Sequence, residues 1–264
     1  MGITLKKLQY LSKIGVLPAG AHVLDIGSSN LYTADPAQLN ELADGFGRRL
    51  KPAFVERIAA GSAYDGSGVS RNESFVGELL ENLGLRYLAL DIANGYGTRI
   101  FDLNAEALPD NLRGTFDTVL NFGTTEHVVN QLNSFRVIHD AVKVGGHIVH
   151  QLPTTGFIDH GYFCYTPRFF FDLSGHNEYE VVDFGYEGPF PGAEVFGIVR
   201  DYVAYFPVLK ELIPAESPRA QDMVLNIIVR KTKDLPLRLP METSTSVVVP
   251  EKPRSRLARL LGQG

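Results

Sequence analysis

The segment VLDIGSSN, Val23–Asn30, places an acidic residue and a tight turn directly after an apolar run. Such a run is typical of a buried strand, and doubly wound sheets bind ligands where their strands end. Gly27 lets the chain turn sharply and lets a ligand approach the backbone. Asp25 suits a ligand with positive charge better than one with phosphate. The segment predicts a ligand-binding turn, although a purely structural strand–turn–helix connection has the same pattern.

The glycines of this turn disfavour a nicotinamide dinucleotide. A dinucleotide-binding turn has three glycines spaced G-x-G-x-x-G, and its helix N-terminus faces the pyrophosphate. Ser29 stands at the second glycine position, and no third glycine follows. An oxidoreductase with a nicotinamide cofactor is therefore the less favoured alternative.

Three further segments place polar residues at the ends of predicted strands. Asp91 ends LALDI, and an acid there can accept hydrogen bonds from both hydroxyls of a ribose. Asp102 ends the next strand, in IFDLNAEALPD. In FDTVLNFGTTEHVVNQ the strand ends at Asn121-Phe122, and Glu126-His127 follow in the loop.

The elements that must position these residues alternate between two patterns. Short β-rich runs are separated by stretches with helical spacing, which predicts βαβ units and a mainly parallel sheet with helices on both faces. The predicted strands cover residues 22–26, 86–92, 98–103, 116–122, 146–152, 179–184 and 223–229. Five helices are predicted. The first has Leu5, Leu8 and Leu11 on one face, the second is Pro36–Arg49 after the cap Asp35, and the third is Glu73–Leu83 after the cap Asn72. The fourth contains Phe135, Ile138 and Val142 and is ended by Gly145-Gly146, and the fifth lies around Tyr202–Leu212.

The length of 264 residues is within reach of a single domain. We expect one domain over residues 1–233, with insertions near 31–84 and 188–221 that form either a lid or surface elaboration. Within the first insertion, the Gly/Ser-rich stretch 59–74 predicts a mobile loop. Residues 234–264 are rich in proline, serine and threonine and are predicted to be a flexible C-terminal tail.

Composition excludes several classes of protein. A formal net charge of −5 gives no overall electrostatic footprint for nucleic acid. Cys164 is the single cysteine, so it cannot form an internal disulfide. No apolar run approaches the roughly 20 residues of an integral membrane segment, and the N-terminus lacks the pattern of a secretory signal. We therefore expect a cytoplasmic protein.

Read in order, the motifs resemble those of class I S-adenosylmethionine-dependent methyltransferases. The segments that carry the resemblance are VLDIGSSN, LALDI, FDLNAEALP, FDTVLNFGTTEHV and VKVGGHIVHQLPT, between about Val23 and Val182. The resemblance implies an enzyme with a Rossmann-like α/β fold and S-adenosyl-L-methionine as cofactor. The implied fold is a doubly wound, mainly parallel seven-stranded sheet with helices on both faces and an antiparallel last strand, which residues 223–229 would supply. The stretch 156–173 is similar to bacterial members that methylate sugars or small molecules.

The resemblance also implies roles at matching positions around the first turn. Asp25, Gly27 and Ser29 would line the methionine and ribose end of the cofactor. Ser29 departs from the family, which commonly has glycine there, but serine is small enough for the turn.

At the later strand ends the resemblance implies contacts along the rest of the cofactor. Asp91 would accept hydrogen bonds from the ribose hydroxyls. Asp102 would bind the exocyclic amine of adenine, and Leu103 would meet the ring through its backbone. Asn121 and Phe122 would lie at the strand end nearest the sulfonium.

Methyl transfer to an alcohol also needs a base, because the pKa of the alcohol lies far above neutrality. His160 follows the fifth strand beside Asp159, and Tyr162, Phe163 and Tyr165 could shape an acceptor pocket. Histidine titrates near pH 7, so we predict that His160 is the general base. The alternative is that His160 only caps or packs a loop.

His127 is the competing candidate for the base. Its pair Glu126-His127 belongs to the shared motif, which favours a role in cofactor or loop geometry. His150 alternates within a strand and is predicted to be a buried structural histidine. Because the histidines are dispersed without matched carboxylates, the sequence predicts no metal site.

The sequence therefore predicts a methyltransferase that acts on a hydroxyl of a small molecule or sugar. N-methylation is the near alternative, since it needs less base and more positioning. A non-catalytic protein that keeps the fold for binding or scaffolding is the other alternative, and the intact Asp25, Asp91 and Asp102 argue against it. The acceptor and the oligomeric state stay open.

Overall fold

The computed structural model describes most of the chain up to residue 241. The described residues are 2–64, 69–157, 159–188, 197–199 (backbone only) and 222–241. The helix predicted around 202–212 and the end of the predicted tail lie outside them.

Strands and helices alternate along the described residues, as the sequence predicts. The strands are β1 (Gly2–Thr4), β2 (His22–Ile26), β3 (Asn30–Tyr32), β4 (Arg86–Asp91), β5 (Thr98–Ile100), β6 (Phe116–Phe122), β7 (Val142–Thr155), β8 (Glu180–Gly188), β9 (Gly197–Val199) and β10 (Met223–Arg230). The helices are α1 (Leu5–Lys13), α2 (Pro36–Gly45), α3 (Pro52–Gly61), α4 (Val76–Asn82), α5 (Gln131–Ala141) and α6 (Pro167–His176). Two 3₁₀ turns cover Asp110–Leu112 and Thr125–His127.

Within the described residues, eight strands form one sheet in the order β5-β4-β2-β6-β7-β10-β8-β9. The five strands from β5 to β7 pair in parallel, whereas β10 lies antiparallel to both β7 and β8. This confirms the predicted doubly wound α/β fold with its antiparallel last strand. The short strand β9 adds an antiparallel edge beyond the predicted seven strands, and β1 and β3 form a separate parallel pair.

Apolar side chains cover both faces of the sheet. In β2, Leu24 belongs to one buried cluster and its neighbour Val23 to another, as the alternation of a strand requires. Phe135 of α5 packs in the first cluster, and Leu8 of α1 packs in the second. The predicted placement of helices on both faces is confirmed.

Three predicted helix boundaries are wrong. Helix α2 ends at Gly45, four residues before the predicted Arg49, because Gly47 adopts a φ of +63° and Arg48 N donates back to Ala43 O at 2.9 Å.

Helix α5 ends at Ala141 without a glycine stop, because Val142 already pairs with Phe116 and begins β7. Gly145 and Gly146 therefore lie inside that strand, where Gly145 donates its N–H to Lys231 O at 2.7 Å. The end of α5 is therefore set by the strand pairing that begins at Val142, and not by the two glycines.

Helix α4 begins three residues later than predicted. Its N-cap is Phe75, which makes no side-chain capping hydrogen bond. Asn72, the predicted cap, instead adopts a φ of +55° in the preceding turn. An asparagine tolerates this left-handed conformation better than most residues, so it serves the turn and not the helix.

The first insertion is more ordered than its composition suggests. Its Gly/Ser-rich stretch begins inside α3, which the sequence analysis missed, and continues through two fully buried serines. Ser74 Oγ donates to Ile58 O at 2.9 Å, and Ser62 Oγ accepts from Ala34 N at 3.0 Å. These hydroxyls tie the two ends of the stretch to α3 and to the segment after β3, and the mobility of the residues between them stays a prediction.

The start of the predicted tail lies against the domain. His139 Nε2 and Leu235 O are 2.6 Å apart, and Arg238 N donates to Asn177 Oδ1 at 2.8 Å. The transition from core to tail therefore falls later than residue 234. Across the described part of the chain, every helix is too short or too polar for a bilayer crossing.

Close packing between α4 and β4 leads to a first prediction. A Cβ on Gly77 would overlap the ring of Tyr87, which is held by a hydrogen bond from its hydroxyl to Asp25 Oδ2. We expect Gly77→Ala to lower the free energy of unfolding by about 1–3 kcal/mol. Urea denaturation measures this change.

Gly45→Ala in α2 is the matched control, since a Cβ there meets nothing within 4 Å. Its stability should stay the same or rise by up to about 1 kcal/mol. Equal stabilities of the two variants would contradict the packing described for Gly77.

Candidate functional site

The predicted site residues gather at one edge of the sheet. Strands β2, β4, β6 and β7 run parallel, so the segments that follow them all start at their common carboxyl edge. The register places Asp25 beside Ala89 on one side and Leu120 on the other. Open α/β sheets bind ligands at this edge.

The turn after β2 is built around Gly27. Its φ is +91°, which L side chains rarely adopt, and its N–H donates to Leu90 O at 2.8 Å. A Cβ at Gly27 would overlap Thr124 Oγ1, so the loop after β6 lies directly against this turn. The predicted tight turn is present, and it contacts the loop that carries Glu126 and His127.

Asp25 lies beneath the turn and has no solvent exposure. Its carboxylate accepts Ser29 N at 3.0 Å, Ser29 Oγ at 3.1 Å and the Tyr87 hydroxyl at 2.8 Å. Burial raises the pKa of Asp25 to about 6, and these hydrogen bonds oppose the rise. Asp25 and Ser29 therefore hold the turn in shape, and their direct contact with a cofactor stays a prediction.

Asp91 presents a partly exposed carboxylate at the end of β4. Its Oδ2 accepts Ser28 N at 2.9 Å, and its Oδ1 accepts Ala93 N at 2.9 Å. Each carboxylate oxygen can accept a second hydrogen bond. The two backbone donors thus fix the orientation of the carboxylate and leave it able to bind a diol.

Strand β5 ends at Ile100 and not at the predicted residue 103, so Asp102 and Leu103 lie in the turn that follows it. Asp102 Oδ1 accepts Asn104 N at 2.8 Å, and its own N–H donates to Glu106 Oε1 at 2.7 Å. Leu103 buries its side chain, and its carbonyl accepts Asn133 Nδ2 at 2.8 Å. The turn is held on both sides, while the carboxylate of Asp102 stays partly exposed.

Asn121 and Phe122 are both buried at the end of β6. Asn121 Nδ2 donates to Thr125 Oγ1 at 2.9 Å and lies 3.0 Å from His150 Nδ1. Burial lowers the pKa of His150 to about 3, so its ring is neutral and accepts from this amide. The predicted structural role of His150 is confirmed. Contact of Asn121 or Phe122 with the sulfonium stays a prediction, because both side chains pack inside the protein.

The structure brings the two competing histidines together around a third residue. His127 Nε2 and His160 Nε2 each lie 3.9 Å from Glu126 Oε1. The two imidazole rings meet edge to face, with centroids 4.8 Å apart. We call Glu126, His127 and His160 the acceptor cluster. It lies beside the turn of Gly27, because Thr124 contacts that turn.

Glu126 is fully buried, and neither carboxylate oxygen has a hydrogen-bond partner among the described residues. Burial raises its pKa to about 7. Burial also lowers the pKa of His127, and the nearby charge of His160 lowers it further. Glu126 was predicted only as part of a pair with His127 and had no role of its own. The available signal was its position in the loop after β6, directly before a histidine.

Backbone contacts fix this cluster. Tyr162 N donates to Glu126 O at 2.7 Å, so the segment after β7 is tied to the loop after β6. Of the predicted pocket aromatics, Tyr162 is 71% exposed and Phe163 is partly buried. Tyr165 is buried, and its hydroxyl donates to Gln131 Oε1 at 2.7 Å. Tyr165 therefore supports the loop.

A cavity of about 820 Å³ lies at the opposite edge of the sheet. It is bounded by the starts of β6 and β7, helix α5 and the segment after β10, including Arg113, Arg136 and Lys231. Ligands of this fold bind at the carboxyl ends of the strands, so this cavity is not the site predicted from the motifs.

Comparison with known proteins gave matches among solved structures only. No family model matches the chain, and no curated protein does. A SAM-dependent methyltransferase from Archaeoglobus fulgidus has 13% identity and a TM-score of 0.43, over 86% of this chain and 93% of that chain.

Two further similar structures are N-methyltransferases. The 1,6-didemethyltoxoflavin-N1-methyltransferase of Burkholderia thailandensis has 13% identity and a TM-score of 0.39, over 86% of this chain and 83% of its own. Phosphoethanolamine N-methyltransferase 2 of Haemonchus contortus has 13% identity and a TM-score of 0.41, over 86% of this chain and 52% of its own. At these levels of similarity, the fold assignment rests on the strand order of this chain.

The residues at the carboxyl edge fit S-adenosylmethionine chemically. Asp91 offers acceptors for two hydroxyls, and Asp102 offers one for an amine. The turn of Gly27 brings backbone close to the same edge. The side chains at this edge are acidic. They suit a cationic sulfonium and an uncharged nucleoside better than a phosphate.

The buried Asp25 leads to a pH prediction. Its folded-state pKa of about 6 lies above the ordinary value of 3.8, so the folded state binds this proton more tightly than the unfolded state. The stability that this proton provides is lost as the pH rises from about 4 to about 6. The loss should reach about 3 kcal/mol.

Asp25→Asn removes this titration while it keeps the shape of the side chain. Urea denaturation of both proteins between pH 4 and pH 7 gives the difference between their free energies of unfolding. The effects of the other carboxylates are common to both proteins and cancel in this difference. The free energy of unfolding of the variant should increase relative to that of the wild type as the pH rises. A constant difference would contradict the raised pKa.

Proposed function

We propose that the protein is an S-adenosyl-L-methionine-dependent methyltransferase that methylates a hydroxyl group of a small molecule or sugar. The observation that carries the proposal is the carboxylate of Asp91, which Ser28 N and Ala93 N orient at the carboxyl edge of the sheet beside the Gly27 turn. This is the arrangement that a ribose diol needs. The fold and the resemblance of five ordered motifs support the same class.

The cofactor, when bound, supplies an electrophilic methyl group on a sulfonium. The chain then has to hold the nucleoside and align the acceptor. We assign the ribose hydroxyls to Asp91 and the adenine amine to Asp102, with the backbone of Leu103 against the ring. Gly27 gives the cofactor access to the turn, and Asp25 and Ser29 maintain the shape of that turn.

The acceptor cluster is proposed to take the proton of the acceptor hydroxyl. His160 is the assigned base, and His127 is the alternative. The two side chains are 36% and 45% exposed, so an acceptor can reach both. Their shared distance of 3.9 Å to Glu126 Oε1 lets that carboxylate stabilise the imidazolium that proton transfer would create.

Transfer to nitrogen is the second candidate function. An amine acceptor loses its proton more easily, so the acceptor cluster would then act through positioning. Methylation of a panel of hydroxyl and amine compounds with labelled S-adenosylmethionine decides between the two. A binding or scaffold protein would take up the cofactor and methylate neither class.

Asp91 gives the direct test of cofactor binding. We expect Asp91→Ala to weaken the binding of S-adenosylhomocysteine at least about tenfold, because it removes two charge-assisted hydrogen bonds worth ~1.5–3 kcal/mol each. Isothermal titration calorimetry measures the affinity, and NAD serves as the competing ligand class. Circular dichroism checks that the variant is folded.

Asp110→Ala is the matched control, since that side chain is 100% exposed and lies in the 3₁₀ turn before β6. It should bind as the wild type does. Asp91→Asn keeps one acceptor for the backbone donors, and it should still bind less tightly than the wild type. Unchanged affinity in both Asp91 variants, or tight binding of NAD, would show that the ribose assignment is wrong.

A further inference from the structure

The acceptor cluster contains a carboxylate in an unusual state. Glu126 has no exposed surface, and both of its oxygens lack hydrogen-bond donors among the described residues. Burial of a polar group without a partner is unfavourable, and burial of an unpaired charge is more so. An incoming cation would remove this cost. The structure thus holds an oriented and unsatisfied ligand.

The neighbours of this carboxylate are nitrogen donors. The Nε2 atoms of His127 and His160 both lie 3.9 Å from Glu126 Oε1, and all three donor atoms lie within 4.8 Å of one another. His160 Nε2 is buried and also lacks a partner among the described residues. In a tetrahedral site with bonds of about 2.0–2.2 Å, ligand atoms are about 3.3–3.6 Å apart. Each distance from a histidine to Glu126 would shorten by about 0.5 Å on metal binding, and the two histidine donors, which lie within 4.8 Å of each other, would also move closer.

The sequence-based prediction of no metal site does not extend to these residues. It assumed histidines dispersed without a matched carboxylate. The parallel pairing of β6 and β7 brings the segments after these strands together, and the contact of Tyr162 N with Glu126 O closes the two loops. Residues 34 positions apart thus share one site.

We propose that Glu126, His127 and His160 bind one divalent first-row transition-metal ion, of the Zn²⁺ type. Two imidazoles and one carboxylate suit such an ion better than Mg²⁺ or Ca²⁺, which favour oxygen ligands. Three protein ligands would leave further coordination positions open, and the partly exposed rings of both histidines lie beside them. This inference rests on the proposed function only for the role of the ion.

That role is activation of the acceptor. A hydroxyl oxygen on an open position would lose its proton at a lower pH, because the cation stabilises the alkoxide. The proton passes to solvent, the oxygen takes the methyl group, and the cofactor leaves as S-adenosylhomocysteine. With the ion bound, the two imidazoles would act as ligands, and the ion would replace His160 as the group that promotes loss of the acceptor proton.

The test uses Co²⁺ as the probe on the full chain after dialysis against a chelator. We expect one Co²⁺ per chain with visible ligand-field absorption, displaced by Zn²⁺ and not by Mg²⁺. Glu126→Gln and His160→Asn should each weaken Co²⁺ binding by at least about tenfold. His147→Asn, a histidine at the opposite edge of the sheet, is the matched control and should bind normally.

Calorimetry with S-adenosylhomocysteine on the chelated protein separates this proposal from the proposed function. Tight nucleoside binding without a Co²⁺ site would overturn the metal proposal alone. Retained Co²⁺ absorption in both cluster variants would place the ion elsewhere and overturn it as well. Displacement by Mg²⁺ as effective as by Zn²⁺ would contradict the assigned donor set. A normal Co²⁺ site without nucleoside binding would support the metal proposal and contradict the proposed methyltransferase function.

Discussion

The site depends on a single buried carboxylate that joins two strands to a turn. Asp25 lies at the centre of the sheet, and its oxygens accept from Ser29 in the turn and from Tyr87 in β4. The helix α4 locks Tyr87 from outside, because only a glycine at position 77 leaves room for the ring. A carboxylate so deeply buried is stable only while these donors stay in place. The shape of the turn is thereby coupled to the packing of the domain.

The second constraint is the contact between this turn and the loop after β6. Thr124 fills the space where a side chain at position 27 would lie. The same loop carries Glu126 and His127, and its backbone is joined to the segment with His160. The nucleoside end and the acceptor end of the proposed site are therefore parts of one packed edge. A small shift of the turn will therefore change the positions of the residues in the acceptor cluster.

Much of this arrangement was predictable from the sequence. The apolar runs and their acidic ends gave the strands and the positions of Asp91 and Asp102, because strand ends of parallel sheets share an edge. The histidines could not be grouped in this way. Only the pairing of β6 with β7 shows that His127 and His160 meet, and only their distances to Glu126 show that this buried carboxylate is near both. The role of Asp25 was also hidden, since its donor Tyr87 comes from a strand 62 residues away.

Hydrogen–deuterium exchange with and without S-adenosylhomocysteine tests the central claim that this carboxyl edge binds the cofactor. Protection should rise at the carboxyl ends of β2, β4, β5 and β6 and in the turns that follow them, where Gly27, Asp91, Leu103 and Thr124 lie. The 820 Å³ cavity at the opposite edge, which includes Arg136, should show no change on addition of the ligand. Protection confined to that cavity, or no protection at all at saturating ligand, would contradict the account.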